Sequence, residues 1–234
     1  MQMSYKLQLS EERIGPPGNE IGLRIERLAN LNETIDELFA ELERQGNPAL
    51  LESLCPYFGV VWPSARGLAE HLAHMGSARL SGRSVLEVGC GLAVPSLLAA
   101  RLGAHVVATD FHPDIPRFLN RNVELNEVGE ELAQGRLKFT AWDWQKQESP
   151  LGRFDWVIGS DILYERQHPE PVARMLARHV APGGRVILAD PGRPYLQNFA
   201  DEMKRLGFSC SISVRNVVDE PTRKDIFILE LAPE

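Results

Sequence analysis

The residues with the clearest chemical potential lie in VLEVGCGLAVPSLL (85–98). An apolar run enters the pair Gly89 and Gly91, and a second apolar run leaves it. Glycines at such a point let the chain turn tightly and let a ligand lie against bare backbone. Glu87 stands just before the first glycine, and Asp110 closes the next apolar run, HVVATD (105–110). A carboxylate about 20 residues beyond a glycine turn is spaced to bind both hydroxyls of a ribose. The stretch therefore reads as a nucleoside-cofactor site.

Two kinds of cofactor compete for it. The dinucleotide fingerprint G-x-G-x-x-G needs a third glycine for helix–strand packing, and Val94 holds that place here. A carboxylate at Glu87 suits a pyrophosphate poorly. It suits the amino group and sulfonium of S-adenosylmethionine, which carries no phosphate. A nicotinamide or flavin site, and a glycine turn with only a structural purpose, are the competing readings.

A second group follows the run FDWVIGSD (154–161), where Asp161 and Tyr164 lie close together in sequence. Just after a strand, both can point into one cleft. Methyl transfer from a sulfonium is an in-line displacement with a good leaving group, so positioning and desolvation of the nucleophile supply much of the rate. An amine nucleophile attacks only as the free base, and a carboxylate with a phenol can hold such an amine in line and help remove its proton. The competing readings are an N-cap for Asp161 and a half-buried aromatic for Tyr164. Asp190 also ends a strand-like run and reads as a turn residue outside the site. His105, His112, His168 and His179 do not fall at metal-ligand spacing, so no metal is expected.

The elements that position these groups are legible from residue 84 onward. SVLEVG (84–89), HVVATD (105–110), LKFTAWD (137–143), FDWVIGSD (154–161) and GRVILAD (184–190) read as strands. Helical stretches separate them: VPSLLAARLG stopping at Gly103, FLNRNVELN, and PEPVARMLARHV followed by the turn APGG. Strands alternating with helices imply βαβ units, a doubly wound parallel sheet and helices on both faces. FSCSISV (208–214) and DIFILEL (225–231) have no helix between them and should form an antiparallel terminal hairpin, which completes a seven-stranded, mostly parallel sheet. Residues 1–55 read differently, as an extension or lid packed on a 56–234 core domain. SYKLQL (4–9) and EIGLRIERL (20–28) flank the turn-rich GPPGN and could pair as a hairpin. NETIDELFAELERQ (32–45) carries Ile35, Leu38, Phe39 and Leu42 along one helical face, and Asn47-Pro48 opens another short helix.

Composition limits the function classes. The chain has 234 residues and a formal net charge of −7, which disfavours gripping nucleic acid and leaves small molecules and basic proteins open as partners. Cys55, Cys90 and Cys210 are scattered, the N-terminus lacks a signal-peptide pattern, and no apolar run approaches the ~20 residues of a membrane helix. A cytoplasmic protein is expected.

The stretch E-V-G-C-G-L-A resembles motif I of the seven-stranded S-adenosylmethionine-dependent methyltransferases. G-V-V-W-P-S-A-R-G-L-A (59–69), N-V-E-L-N (122–126), A-W-D-W (141–144) and S-D-I-L-Y (160–164) are similar to the lysine-methyltransferase-like branch called methyltransferase family 16. The D-x-x-Y motif of that branch is matched by Asp161 and Tyr164. Ala93 departs from it where many members carry a third glycine, with a slight change of loop expected. The resemblance implies that Glu87, Gly89 and Gly91 line the methionine part of the cofactor and that Asp110 binds the ribose. Phe111 would pack near the adenine, and Asp143 and Trp144 would close over its edge and face. Ser160 would offer backbone groups to the methionine end, and Trp62 would wall it off. Core packing for Phe111 and Trp144, a helix anchor for Trp62 and a turn cap for Asp143 are the structural alternatives. The implied activity is N-methylation, foremost of a protein lysine. A small-molecule, nicotinamide-methylase-like N-methyltransferase and a cofactor-binding module without catalysis are the rivals.

Overall fold

The computed structural model describes residues 4–126, 136–145, 149–219 and 221–234. Strands β3 (Ser84–Val88), β4 (His105–Asp110), β5 (Leu137–Ala141), β6 (Phe154–Ser160), β7 (Val180–Asp190), β8 (Phe208–Asp219) and β9 (Thr222–Pro233) form one sheet in the order β5-β4-β3-β6-β7-β9-β8. The first five are parallel; β9 runs antiparallel to β7 and to β8. The order reverses between β3 and β6, and the crevice beyond the carboxyl ends of those strands is where such a sheet takes its ligand.

Alternate side chains of each strand point to opposite faces, so the sheet needs cover on both. Val85, Val106, Ile158 and Ile187 pack into one apolar layer. It also takes in α3 (Pro63–Leu80), α4 (Val94–Arg101) and α5 (Ile115–Leu125). Leu86, Val88, Val157 and Leu188 pack into the other, under α6 (Pro169–His179) and α7 (Leu196–Arg205). Gly76, with φ 67° and ψ 178°, interrupts α3 near its end.

The N-terminal segment forms the expected hairpin, β1 (Leu7–Ile14) with β2 (Ile21–Leu28), as a separate two-stranded sheet. Leu23, Ile25 and Leu28 are fully buried in the layer that also covers α3 to α5. Leu28 sits so close to Gly59 that a Cβ there would overlap its side chain, which gives the glycine of G-V-V-W-P a packing role. Helix α1 (Leu31–Arg44) starts at an Asn30 cap that accepts from the Glu33 N–H. Its expected apolar face is only half used: Leu38 and Leu42 are buried with Thr34, while Phe39 is 40% exposed. The turn at Pro48–Leu50 leads into the short α2 (Leu51–Leu54).

The NVELN stretch docks the hairpin. Asn122 of α5 and Asn126, the C-cap of that helix one turn further on, present their carboxamides to the free edge of β2. Asn126 Oδ1 accepts from the Arg24 N–H and its Nδ2 donates to the Arg24 carbonyl, each at 2.7 Å. Asn122 Oδ1 accepts from the Glu26 N–H at 2.7 Å and its Nδ2 donates to the Glu26 carbonyl at 3.4 Å. Strand residues two apart and helix residues four apart have similar spacing along their axes, so two asparagines substitute for a neighbouring strand. Arg66 of α3 adds an ion pair to Glu12 at 2.7 Å and one to Asp219 at 3.4 Å.

Two sequence expectations need correction. APGG is no separate turn, because β7 already begins at Val180 and its pairing with β6 jumps from Phe154↔Val180 to Trp156↔Arg185. Gly184 permits this bulge, since a Cβ there would lie 2.8 Å from the Phe154 carbonyl. The terminal hairpin also runs further than 208–214 and 225–231. Its outer half is held by polar pairs, Asn216–Asp225 at 2.8 Å and Lys224–Asp219 at 2.7 Å, which an apolar pattern does not register.

Candidate active site

The glycine turn leaves β3 in backbone conformations that side chains rarely adopt. Gly89 has φ 67° and Gly91 φ 51°, and Ala93 follows at φ 59°, so alanine holds the left-handed position ahead of α4. A Cβ on Gly89 would meet Ile162 at 2.9 Å, and one on Gly91 would meet the Phe58 carbonyl at 3.3 Å. The turn is thus enclosed by the segment after β6 on one side and the segment before α3 on the other.

Two acids flank this turn. Asp110 Oδ2 accepts from the Gly91 N–H at 3.0 Å and Oδ1 from the Phe111 N–H at 2.7 Å. Burial raises its pKa, and those backbone N–H groups oppose the rise. Glu87 is 1% exposed. Its Oε2 accepts from the N–H and the hydroxyl of Ser96, in the first turn of α4, while its Oε1 is buried with no hydrogen-bond partner. Burial pushes its pKa up to about 8. A sealed carboxylate oxygen lacking a donor is costly as it stands. It becomes favourable against a cationic amino group, so the chain's residues fit the methionine amine of S-adenosylmethionine.

Across the switch point, β6 ends in buried Ser160, and Asp161 follows at φ 59° with its N–H on the Ala189 carbonyl at 3.1 Å. Helix α6 begins only at Pro169, so Asp161 caps no helix. Its Oδ1 lies 2.5 Å from Arg193 Nη2. Asp190, 1% exposed, makes the turn read from the sequence by accepting from the N–H groups of Gly192 at 2.8 Å and Arg193 at 2.7 Å. It also pairs with Arg193 Nη1 at 3.1 Å, a link to Asp161 that the sequence did not suggest.

The remaining residues surround these pairs. The Tyr164 phenol is raised by burial and by the carboxylates of Glu165, Asp110, Asp143 and Glu52, so it keeps its proton at neutral pH. That set draws together the ends of β4 and β5, the segment after β6, and α2. Asp143 accepts from the Gln145 N–H at 3.0 Å, the turn cap weighed for it. Trp144 and Tyr164 meet the same ring from two directions: His168 lies edge-on to both, at 5.1 and 4.5 Å. Phe111 is exposed beside Asp110. Trp62 precedes the first turn of α3, partly exposed, and its Nε1 donates to the Tyr57 carbonyl at 2.9 Å. His112 Nε2 lies 3.1 Å from the Leu54 carbonyl and ties α2 to the end of β4. Ser96 and Arg193 escaped the sequence reading, which weighed His168 only as a metal ligand, since their partners are set by the fold and not by spacing. Among the described residues no cluster of three His, Cys, Asp or Glu side chains could hold a metal ion.

The sequence and the fold are similar to those of known proteins. The chain is 34% identical over 134 residues to the protein N-lysine methyltransferase METTL21A of Danio rerio, covering 55% of this chain and 58% of that one. It is 34% identical over 142 residues to the histone-arginine methyltransferase METTL23 of Mus musculus, covering 56% and 53%. It spans little more than half the length of these curated relatives. The crystal structure of the glycopeptide N-methyltransferase MtfA superposes with a TM-score of 0.58 at 14% identity, covering 73% of this chain and 90% of that one, and so shares the fold. Residues 56–205 match the lysine methyltransferase family, and this chain belongs to it.

Proposed function

We propose that the protein transfers a methyl group from S-adenosylmethionine to an amine nitrogen, foremost a lysine side chain of a protein. The observation that carries this reading is the sealed, donor-deficient Oε1 of Glu87 beside a turn stripped of side chains. The buried Glu87 carboxylate would repel a pyrophosphate, whereas an ammonium would satisfy it directly. In this reading Asp110, next to Gly91, binds the ribose hydroxyls. Phe111, Asp143 and Trp144 flank the adenine, and Ser160 with Trp62 borders the methionine end. Residues 56–234 form the catalytic domain, and residues 1–55 are a docked extension that brings Glu52 to the cleft.

When bound next to Glu87 and Asp110, S-adenosylmethionine would supply an electrophilic methyl carbon with a neutral thioether as its leaving group. The chain's part is to hold the amine in line. Asp161 accepts an amine N–H, and the protonated Tyr164 phenol borders the same approach. The positive charge passes from sulfur to nitrogen, so acids near the acceptor stabilise what develops there. The free thiols of Cys55, Cys90 and Cys210 suit a reducing compartment such as the cytoplasm.

Incubation with methyl-tritiated S-adenosylmethionine and a cell lysate tests the proposal. Label in a protein band, located on lysine after hydrolysis, is the expected result. Label on arginine or only in the small-molecule fraction would reassign the acceptor. Binding of the cofactor without any transfer would leave only a binding module.

A further inference from the structure

We propose that Arg193 is a positioning residue that keeps the acceptor amine neutral, and therefore reactive, at Asp161. The proposal rests on the methyl-transfer reading above. A carboxylate that holds an amine also favours its ammonium form, because opposite charges within about 4–6 Å stabilise ionisation. An ammonium has no lone pair to attack with. A lone Asp161 would thus grip its substrate in the unreactive state.

The structure answers that conflict with a fixed counter-charge. Arg193 Nη2 pairs with Asp161 Oδ1 at 2.5 Å. Its other terminal nitrogen is held by buried Asp190, whose second oxygen is committed to the N–H groups of Gly192 and Arg193. The guanidinium is therefore part of the turn after β7. Asp161 is equally constrained: a non-glycine residue at φ 59° persists only where its surroundings over-determine it. Asp190 faces the same guanidinium from the other side; the next titratable groups along the chain are the Tyr164 phenol, with the acids Glu165, Asp110, Asp143 and Glu52 acting on it, and the His168 ring beside it. Loss of Arg193 leaves Asp161 and Asp190 without the cation that pairs them. With Arg193 present, the amine proton goes to solvent nearer neutral pH, and the amine then donates one N–H to the second oxygen of Asp161.

The test compares wild type with Arg193→Gln in tritium transfer to the wild type's labelled protein band across pH 7 to 10. Cofactor affinity by calorimetry is the control. The expected result is unchanged cofactor affinity, transfer lowered about tenfold at neutral pH, and a rising limb moved about one unit to higher pH. The two proteins then converge near the alkaline end, and Arg193→Lys restores the wild-type limb. Loss by one constant factor at every pH, or no loss at all, would overturn the proposal while leaving methyl transfer intact. A wild type that labels nothing would overturn the methyl-transfer reading itself. Should Arg193→Gln not fold, Arg193→Met keeps the stem and removes the charge, and a shift of the limb to higher pH is required of it too.

Discussion

Glu87 makes the most direct residue-scale prediction. Its carboxyl ordinarily titrates at 4.5 and is pushed up to about 8 by burial. The folded ligand-free protein therefore holds this proton more tightly than the unfolded chain. The associated stability is present below about 4.5 and is lost as pH rises to about 8. Glu87→Gln removes the charge that must be buried, so the variant should gain on the order of a few kcal/mol over wild type at pH 8.5 and little at pH 5. Urea unfolding at the two pH values reads this difference, and the same variant should lose cofactor binding by calorimetry. Asp161→Asn should lower turnover at least tenfold with cofactor affinity nearly intact, and Tyr164→Phe should cost less because the ring remains. Parallel fall of affinity and turnover in Asp161→Asn would assign Asp161 to the cofactor shell. The acids at strand ends were legible because a parallel sheet presents ligand groups there and each apolar run marks its own end. Arg193 was not legible: nothing in the spacing between Asp161 and Arg193 says that a turn built by Asp190 brings them together.

At the scale of elements, all seven main strands read true; burial on both faces gives β3, β4, β6 and the end of β7 their apolar runs, while the terminal hairpin was marked by two strand-like runs with no helix between them. The N-terminal hairpin was legible as a pair of strands in an extension read as packed on the core, but the contacts that dock it were not. Its attachment is polar, through Asn122 and Asn126, and carboxamides carry no periodic signal. That attachment is testable. Asn126→Ala should leave the Arg24 N–H and carbonyl unpaired beside α5 and cost about 1–3 kcal/mol in unfolding free energy. The Arg24 amide should exchange with solvent faster than in wild type, and an unchanged rate would show that β2 is held by apolar packing alone.

For the whole molecule, the burial of Leu23, Ile25 and Leu28 beneath the same layer as α3 to α5 makes the hairpin part of one core. Ile25→Ala should destabilise by about 2–5 kcal/mol and leave a single unfolding transition. Two separate transitions in calorimetry would show an independently melting hairpin. The asparagine clasp also has a bearing on synthesis. Arg24 and its partner Asn126 are separated by 102 positions. A ribosome adding roughly 5–20 residues per second needs about 5–20 s to cover that interval. For that time the emerging hairpin carries the greasy side chains of β2 and an unpaired strand edge, with no α5 yet made to receive them. Nascent chains halted before codon 122 should therefore be held by trigger-factor-like chaperones, and those halted well beyond codon 126 should be released.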